Sequence, residues 1–347
     1  MNTSSLHPPS TAAPAPAGFP LLRLAFRPFY LLAALLAALA IPLWLASYYG
    51  HLPALPNVGL AWHAHEMVFG FAIAVVIGFL YTAGRAWTGL DTPRGLPLAL
   101  IALLWIAGRV AMLVAPAPIA AVVDILFLPV AAVPLYLVLK RANNKRNLFL
   151  ILLLALLTVA NVLYHCALAG AIALSPLTPV EGAIFVIVLL ESIIGARVIP
   201  TFTKNALPGV APVVDVKRDR VSVVLIVLAA AAWVLGLPGP LAAALATATA
   251  VSLAIRLIGW KPWTTWRVPL LWILHLSYAW IVVGFLLLAA AELGALPVSA
   301  ALHALTVGSM AGLIIGMITR TALGHTGRPL KAGSAETTMY ALVQVGA

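Results

Sequence analysis

Hydrophobic residues in this chain come in long unbroken blocks, separated by short breaks rich in Pro, Gly, Lys and Arg. They neither alternate with polar residues, as a membrane β-barrel strand requires, nor form the one-sided stripe of a soluble helix. A block of about 20 apolar residues crosses a bilayer as a helix that satisfies its own backbone. Ten such blocks stand out: Phe29–Tyr49, Ala61–Thr82, Leu96–Ala115, Ala117–Leu139, Asn147–Gly170, Glu181–Pro200, Val221–Leu237, Gly239–Ile258, Val268–Ala290 and Pro297–Thr319. An eleventh run, Thr337–Ala347, stops at about half a span. It reads either as a span cut short or as a short helix ending inside protein. The pattern predicts an all-α, polytopic transmembrane helical bundle of about 10–11 spans. Residues 1–20, rich in Pro, Ala and Ser and lacking a basic start, predict a disordered tail ahead of a single membrane domain over 21–347.

Composition supports this reading. The chain is 63% hydrophobic and 8% charged, against about a quarter charged in soluble domains. With the N-terminus in the cytoplasm, every Lys and Arg except Arg109 and Arg197 falls in a cytoplasmic loop, tail or helix end, from Arg23 and Arg27 through Lys140–Arg146 and Lys217–Arg220 to Arg320, Arg328 and Lys331. One missed helix would invert half of those loops, so the bias tests the span count. The net charge of +11 then reflects topology and contact with anionic membrane lipid, and gives no reason to expect nucleic acid. Trp44, Tyr48, Tyr49 and Trp62 are expected near the outer interface, and Trp260, Trp263 and Trp266 near the inner one. A lone cysteine, Cys166, excludes an intramolecular disulfide, a CxxCH haem attachment and a multi-thiolate cluster. Histidine must carry any metal chemistry.

Of the eight histidines, five lie in these apolar blocks: His63, His65, His165, His275 and His303. Counted from the helix ends at about 1.5 Å per residue, His63, His65, His165 and His303 fall in the outer third of the bilayer, as one layer. His275 lies nearer the cytoplasmic end and belongs to a second site, a proton route or a plain interhelical hydrogen bond. His63 and His65 stand about 200° apart on an α-helix, so they serve different sites unless that turn is irregular. His63 and Glu66 share a face, which makes Glu66 a proton carrier or an orienter of the imidazole; the plainer alternative is a helix end anchored by Trp62 and capped by Glu66.

Charges at membrane depth narrow the picture further. Arg109 and Asp124 lie on consecutive helices at equal depth and can pair; the functional alternative is that Arg109 grips haem propionates. Glu191 lies near mid-membrane with no cation at its level, which makes it a candidate proton carrier. Gly70, Ala74 and Gly78, and likewise Gly308, Gly312 and Gly316, form small-residue rows suited to close helix packing.

The segments L-R-L-A-F-R-P-F-Y (Leu22–Tyr30), W-H-A-H-E-M-V-F-G (Trp62–Gly70), H-A-L-T-V-G-S-M (His303–Met310) and M-I-T-R-T-A-L-G-H-T-G-R-P-L (Met317–Leu330) resemble the NnrS family. The resemblance runs from about residue 20 to the end, although that family usually has about twelve spans. It implies a multi-pass protein of the bacterial inner membrane that carries haem b and copper and takes part in the nitric oxide response. On this reading His63, His65, His165 and His303 are the metal and haem ligand candidates, with His275 as a further one and Arg109 beside the cofactor. Glu66 and Glu191 would supply protons if nitric oxide is reduced there, with electrons from an unidentified donor. The alternatives are a non-catalytic haem-based nitric oxide binder or sensor, and a transporter using the buried charges. A transporter would be marked by internal repeats, and the sequence gives no sign of them.

Overall fold

The computed structural model describes residues 19–55 and 57–347; residues 1–18 of the expected tail lie outside them. Among the described residues the protein is an all-α bundle. Its helices are α1 (Phe26–Tyr48), α2 (Leu60–Thr88), α3 (Leu96–Val114), α4 (Ala117–Arg141), α5 (Phe149–Leu168), α6 (Leu177–Ala206), α7 (Val216–Val234), α8 (Gly239–Gly259), α9 (Pro269–Glu292), α10 (Val298–His325) and α11 (Ser334–Val345). All but α7 and α11 are long and apolar enough to cross a membrane, which gives nine candidate spans.

α7 falls short because Lys217, Arg218, Asp219 and Arg220 fill its first turn. The apolar remainder, Val221–Val234, extends roughly 21 Å at 1.5 Å per residue, against a hydrocarbon core of about 30 Å. Asp215 caps this helix, accepting from the N–H groups of Lys217 at 2.8 Å and Arg218 at 3.3 Å. The backbone bonds from Arg218 and Lys217 hold its carboxyl below the usual carboxylate range.

The eleventh run forms the 12-residue α11, which lies across α9 and α10. Tyr340 packs edge-on against Trp272, and Gln344 accepts from the Trp280 indole at 2.9 Å while donating to Ser277 at 3.1 Å.

Outward faces are apolar. Leu31, Leu35 and Leu39 form one exposed stripe of α1 at helical spacing, while Phe29, Ala33 and Ala40 face inward. Of the aromatic residues expected at the interfaces, Tyr48, Tyr49, Trp263 and Trp266 are exposed, whereas Trp62 and Trp260 are buried. Trp260 instead packs on His275 and Tyr278.

α2 is the most enclosed of the apolar helices; it packs against α1, α3, α4 and α6. α6 is the second hub, touching α5, α7, α9 and α10 as well. Both α2 and α10 contain a π-helical stretch, Glu66–Ala72 in one and Ala304–Ala311 in the other. In each, a histidine immediately precedes the stretch, and small residues follow at the same intervals: His65, Gly70, Ala74 and Gly78 match His303, Gly308, Gly312 and Gly316. This short correspondence went unread in the sequence because the residues between differ. The glycines permit close approach. A Cβ at Gly78 would stand 3.0 Å from Phe29 Cβ and 3.3 Å from the Phe26 backbone of α1, and one at Gly316 would stand 2.8 Å from Leu274 of α9.

Gly78→Leu is expected to overpack the α1–α2 contact and lower stability by about 1–3 kcal/mol. Gly182→Ala on α6, whose new Cβ meets only Val234 at 3.9 Å, is expected to be neutral or stabilising by up to about 1 kcal/mol. Thermal midpoints of the two variants in detergent check both.

A candidate metal centre

The sequence brings polar groups to one level on four consecutive helices, and the fold turns them inward. α2 contributes His65 and Glu66, α3 Arg109, α4 Asp124, and α5 Asn161 and His165, all buried. Asp124 is the hub. Its Oδ2 accepts from Asn161 Nδ2 at 2.8 Å and lies 2.9 Å from His165 Nε2 and 3.1 Å from His65 Nε2. Its Oδ1 is paired with Arg109. The other ring nitrogen of His65, Nδ1, lies 3.1 Å from Glu66 Oε1, which also accepts from Arg109 at 2.8 Å. Tyr164 covers the His65 ring at 4.4 Å, and Phe69 packs beside it at 5.0 Å.

Local structure explains the placement. Arg109 and Asp124 flank the tight connection between α3 and α4, so equal depth follows from the short turn. Asn161 and His165 are one turn apart on α5 and share a face. Gly70 keeps the floor open, since a Cβ there would stand 2.9 Å from Glu66 Oε2 and 3.1 Å from an Arg109 nitrogen. The Gly70 carbonyl also accepts from the Trp105 indole at 3.2 Å.

Charge and donor chemistry together describe what this cluster suits. Two carboxylates face one guanidinium, so a surplus negative charge is buried unless a cation makes it up, whether a proton on an imidazole or a metal ion. His65, Asp124 and His165 each offer a ligand atom, and these atoms lie within 4.8 Å of one another. Ligands held about 2.0–2.2 Å from a small ion stand roughly 3–4 Å apart, so modest closure makes a site of two imidazoles and a carboxylate. Glu66, at Nδ1 of His65, stands where the outer partner of a ligating imidazole belongs. One oxygen of that carboxylate, Oε2, is buried without a partner.

The other candidate residues lie elsewhere. His63 turns away from the cluster, stacks on Trp44 at 4.1 Å and keeps a buried Nδ1 without a partner. It is within electrostatic reach of His303, which is exposed and whose Nδ1 bonds the Ser299 carbonyl at 2.7 Å, leaving Nε2 free. The single outer layer is therefore divided by α2, with His65 and His165 on one side and His63 and His303 on the other. Glu66 pairs with His65 and Arg109 rather than with His63, because the helix widens into the π stretch at that residue. The Arg109 guanidinium is committed to Glu66 and Asp124, not held free for a propionate.

His275 is remote from both groups. Its Nε2 lies 2.9 Å from the Thr203 hydroxyl of α6, whose own proton goes to the Ile199 carbonyl, so the imidazole donates. Glu191 accepts from Ser309 of α10 at 3.0 Å. It faces a cavity of about 100 Å³ that is also lined by Tyr30, Ala72, Val75 and Met310. No histidine lines that cavity, so it offers a haem no imidazole ligand. Asn161 was not singled out from the sequence; its position one turn before His165 was the available signal.

A family model described as the NnrS protein matches residues 20–347 of the chain. No curated protein matches it.

Charge arithmetic separates two variants of the cluster. Arg109→Met leaves two buried carboxylates without a cation and is expected to cost about 3–5 kcal/mol. Asp124→Asn keeps the Arg109–Glu66 pair, removes the surplus charge and is expected to cost about 1–3 kcal/mol through its lost hydrogen bonds. Denaturant unfolding of both in detergent tests the order; an Asp124→Asn variant as unstable as Arg109→Met would contradict it.

Proposed function

The chain belongs to the NnrS family and is a multi-pass membrane protein of the nitric oxide response; on that premise we propose that His65, Asp124 and His165 hold a redox-active metal ion at which nitric oxide is bound and reduced with electrons from an external donor. The observation that carries this reading is the buried two-imidazole, one-carboxylate set with its surplus negative charge. Two imidazoles with a carboxylate suit copper among other first-row ions. When bound, the ion supplies the redox centre.

The chain's own groups have separate tasks. Asp124 fixes the depth of the site, Asn161 orients that carboxylate, and Glu66 accepts a hydrogen bond from Nδ1–H of His65 so that Nε2 is the nitrogen available to an ion. The unpartnered Oε2 of Glu66 is positioned to take and release a proton beside the site. The apolar outer faces suit the ligand, because nitric oxide is small and apolar enough to arrive through lipid. Haem b would fall to His63 and His303, which retain an unpartnered Nδ1 and a free Nε2. The membrane proposed is the bacterial inner membrane, with the basic loops on the cytoplasmic side.

One observation favours a second reading, a non-catalytic nitric oxide binder. Glu191 lies on the far side of α2 from the cluster, in a cavity whose other lining residues are apolar except Tyr30. Glu191→Gln that leaves nitric oxide turnover unchanged, combined with Glu66→Gln that also leaves it unchanged, would favour the binder.

Detergent-purified protein is expected to retain copper, with an electron paramagnetic resonance signal of nitrogen ligation. His65→Ala and His165→Ala should lose it, and His275→Ala should keep it. Glu66→Gln should weaken metal binding by about 10–100-fold. Metal retention should also fall as the pH is lowered, because ligating imidazoles and carboxylates must be unprotonated. Full copper content in the His65→Ala/His165→Ala double variant would overturn the assignment.

A further inference from the structure

At the opposite end of the bundle, where the basic loops lie, α6, α7 and α8 line an open cavity of about 720 Å³. Its charged lining is Arg146, Arg197, Arg220 and Arg256 against a single carboxylate, Asp219. That carboxylate reaches only Arg256, at 3.4 Å; among the described residues no acidic group pairs with Arg146, Arg197 or Arg220.

The cavity is a built feature, more than a patch of loop charge. Arg256 is 2% exposed, anchored by Ser192 at 2.5 Å and by the Tyr278 hydroxyl, and its Nε is buried without a partner. Arg197 is steadied by the Asn147 side chain at 2.9 Å and by the Phe149 ring. Guanidinium groups held in this way suit a phosphate, which accepts several charge-assisted hydrogen bonds at once.

The wall beside the arginines is aliphatic and open. Val214, Val216 and Val224 line it and are 56%, 62% and 55% exposed. The short apolar part of α7 brings its charged first turn towards bilayer depth, so the arginines and valines meet a lipid where its head joins its chains. Basic pockets between membrane helices on this kind of surface hold anionic head groups.

We propose that this cavity is a phosphate-binding site that takes the head-group phosphate of an anionic phospholipid, its acyl chains lying along the α7 valines; free phosphate is the other source of the same chemistry. The proposal does not depend on the metal centre, which lies at the other end of the bundle.

The test is the thermal midpoint of the full chain in neutral detergent with added phosphatidylglycerol, phosphatidylcholine or inorganic phosphate. Three proteins are compared: the parent, Arg146→Gln/Arg220→Gln, whose two side chains are exposed and leave the core intact, and Arg328→Gln/Lys331→Gln as a control with the same charge lost elsewhere on the basic end. Phosphatidylglycerol should raise the midpoint of the parent and the control and not that of Arg146→Gln/Arg220→Gln, whose binding should be weaker by about tenfold or more. Phosphatidylcholine should leave all three unchanged. An equal rise with inorganic phosphate alone, lost in the same variant, keeps the site and makes free phosphate its ligand. A rise that survives Arg146→Gln/Arg220→Gln, or that the control loses equally, overturns the site in favour of diffuse surface attraction.

Discussion

A carboxylate at membrane depth has no water to solvate it, and at Asp124 three neighbouring helices share that task. His65 comes from α2, Arg109 from α3, and Asn161 and His165 from α5, each directed at one of the two oxygens on α4. Leaving such a charge without partners in hydrocarbon is costly, so each contact fixes the rotation of the helix that supplies it. The depth and facing of α2, α3, α4 and α5 thus follow from one side chain. Apolar packing cannot specify rotation so sharply, because lipid tails are as apolar as Leu and Val and reward no single face.

α2 acts as a partition. Its His65–Glu66 side looks onto the polar cluster, and its Ala72–Val76 side looks onto the apolar cavity where Glu191 meets Ser309. The two acidic environments therefore differ in kind. One is crowded with donors and carries more negative than positive charge; the other gives its carboxylate a single hydroxyl. α10 carries a histidine, a π stretch and a glycine row spaced as they are in α2 but meets this cavity through Met310, Leu313 and Ile314, so the molecule uses one helix design twice in unlike surroundings.

Much of this was legible in the sequence. Unbroken apolar blocks located nine of the ten expected spans; the tenth, in α7, is a helix whose charged first turn leaves too short an apolar length to count as one. The equal depth of Arg109 and Asp124 followed from the short α3–α4 connection, and the opposite facing of His63 and His65 from helical angles alone. Other features required the fold. The partner of Glu66 was misjudged because a regular helix was assumed where the backbone widens. The division of the histidines into two groups depends on which helices flank α2, and sequence order does not reveal that. Thr203 as the partner of His275, and Trp62 and Trp260 as buried rather than interfacial, depend on tertiary neighbours in the same way. α7 was placed a few residues late because its charged first turn does not look like part of a span.

The π stretches bear on how these helices tolerate change. A π turn holds one residue more than an α turn, so it behaves as an insertion stored inside the helix. In α2 the stored residue lies between His65 and the Ala74–Gly78 part of the row that packs on α1; in α10 it lies between His303 and the Gly312–Gly316 part. Deleting any one residue from either stretch would let the backbone relax into regular α-helix with little loss of hydrogen bonding. Because the extra residue is taken up within a single widened turn, the histidine would keep nearly the same facing relative to the packing row. In α2 and α10, reading-frame-preserving loss of a single codon is therefore better absorbed inside the π stretch than elsewhere in the helix, where it would turn every residue beyond it by about 100°.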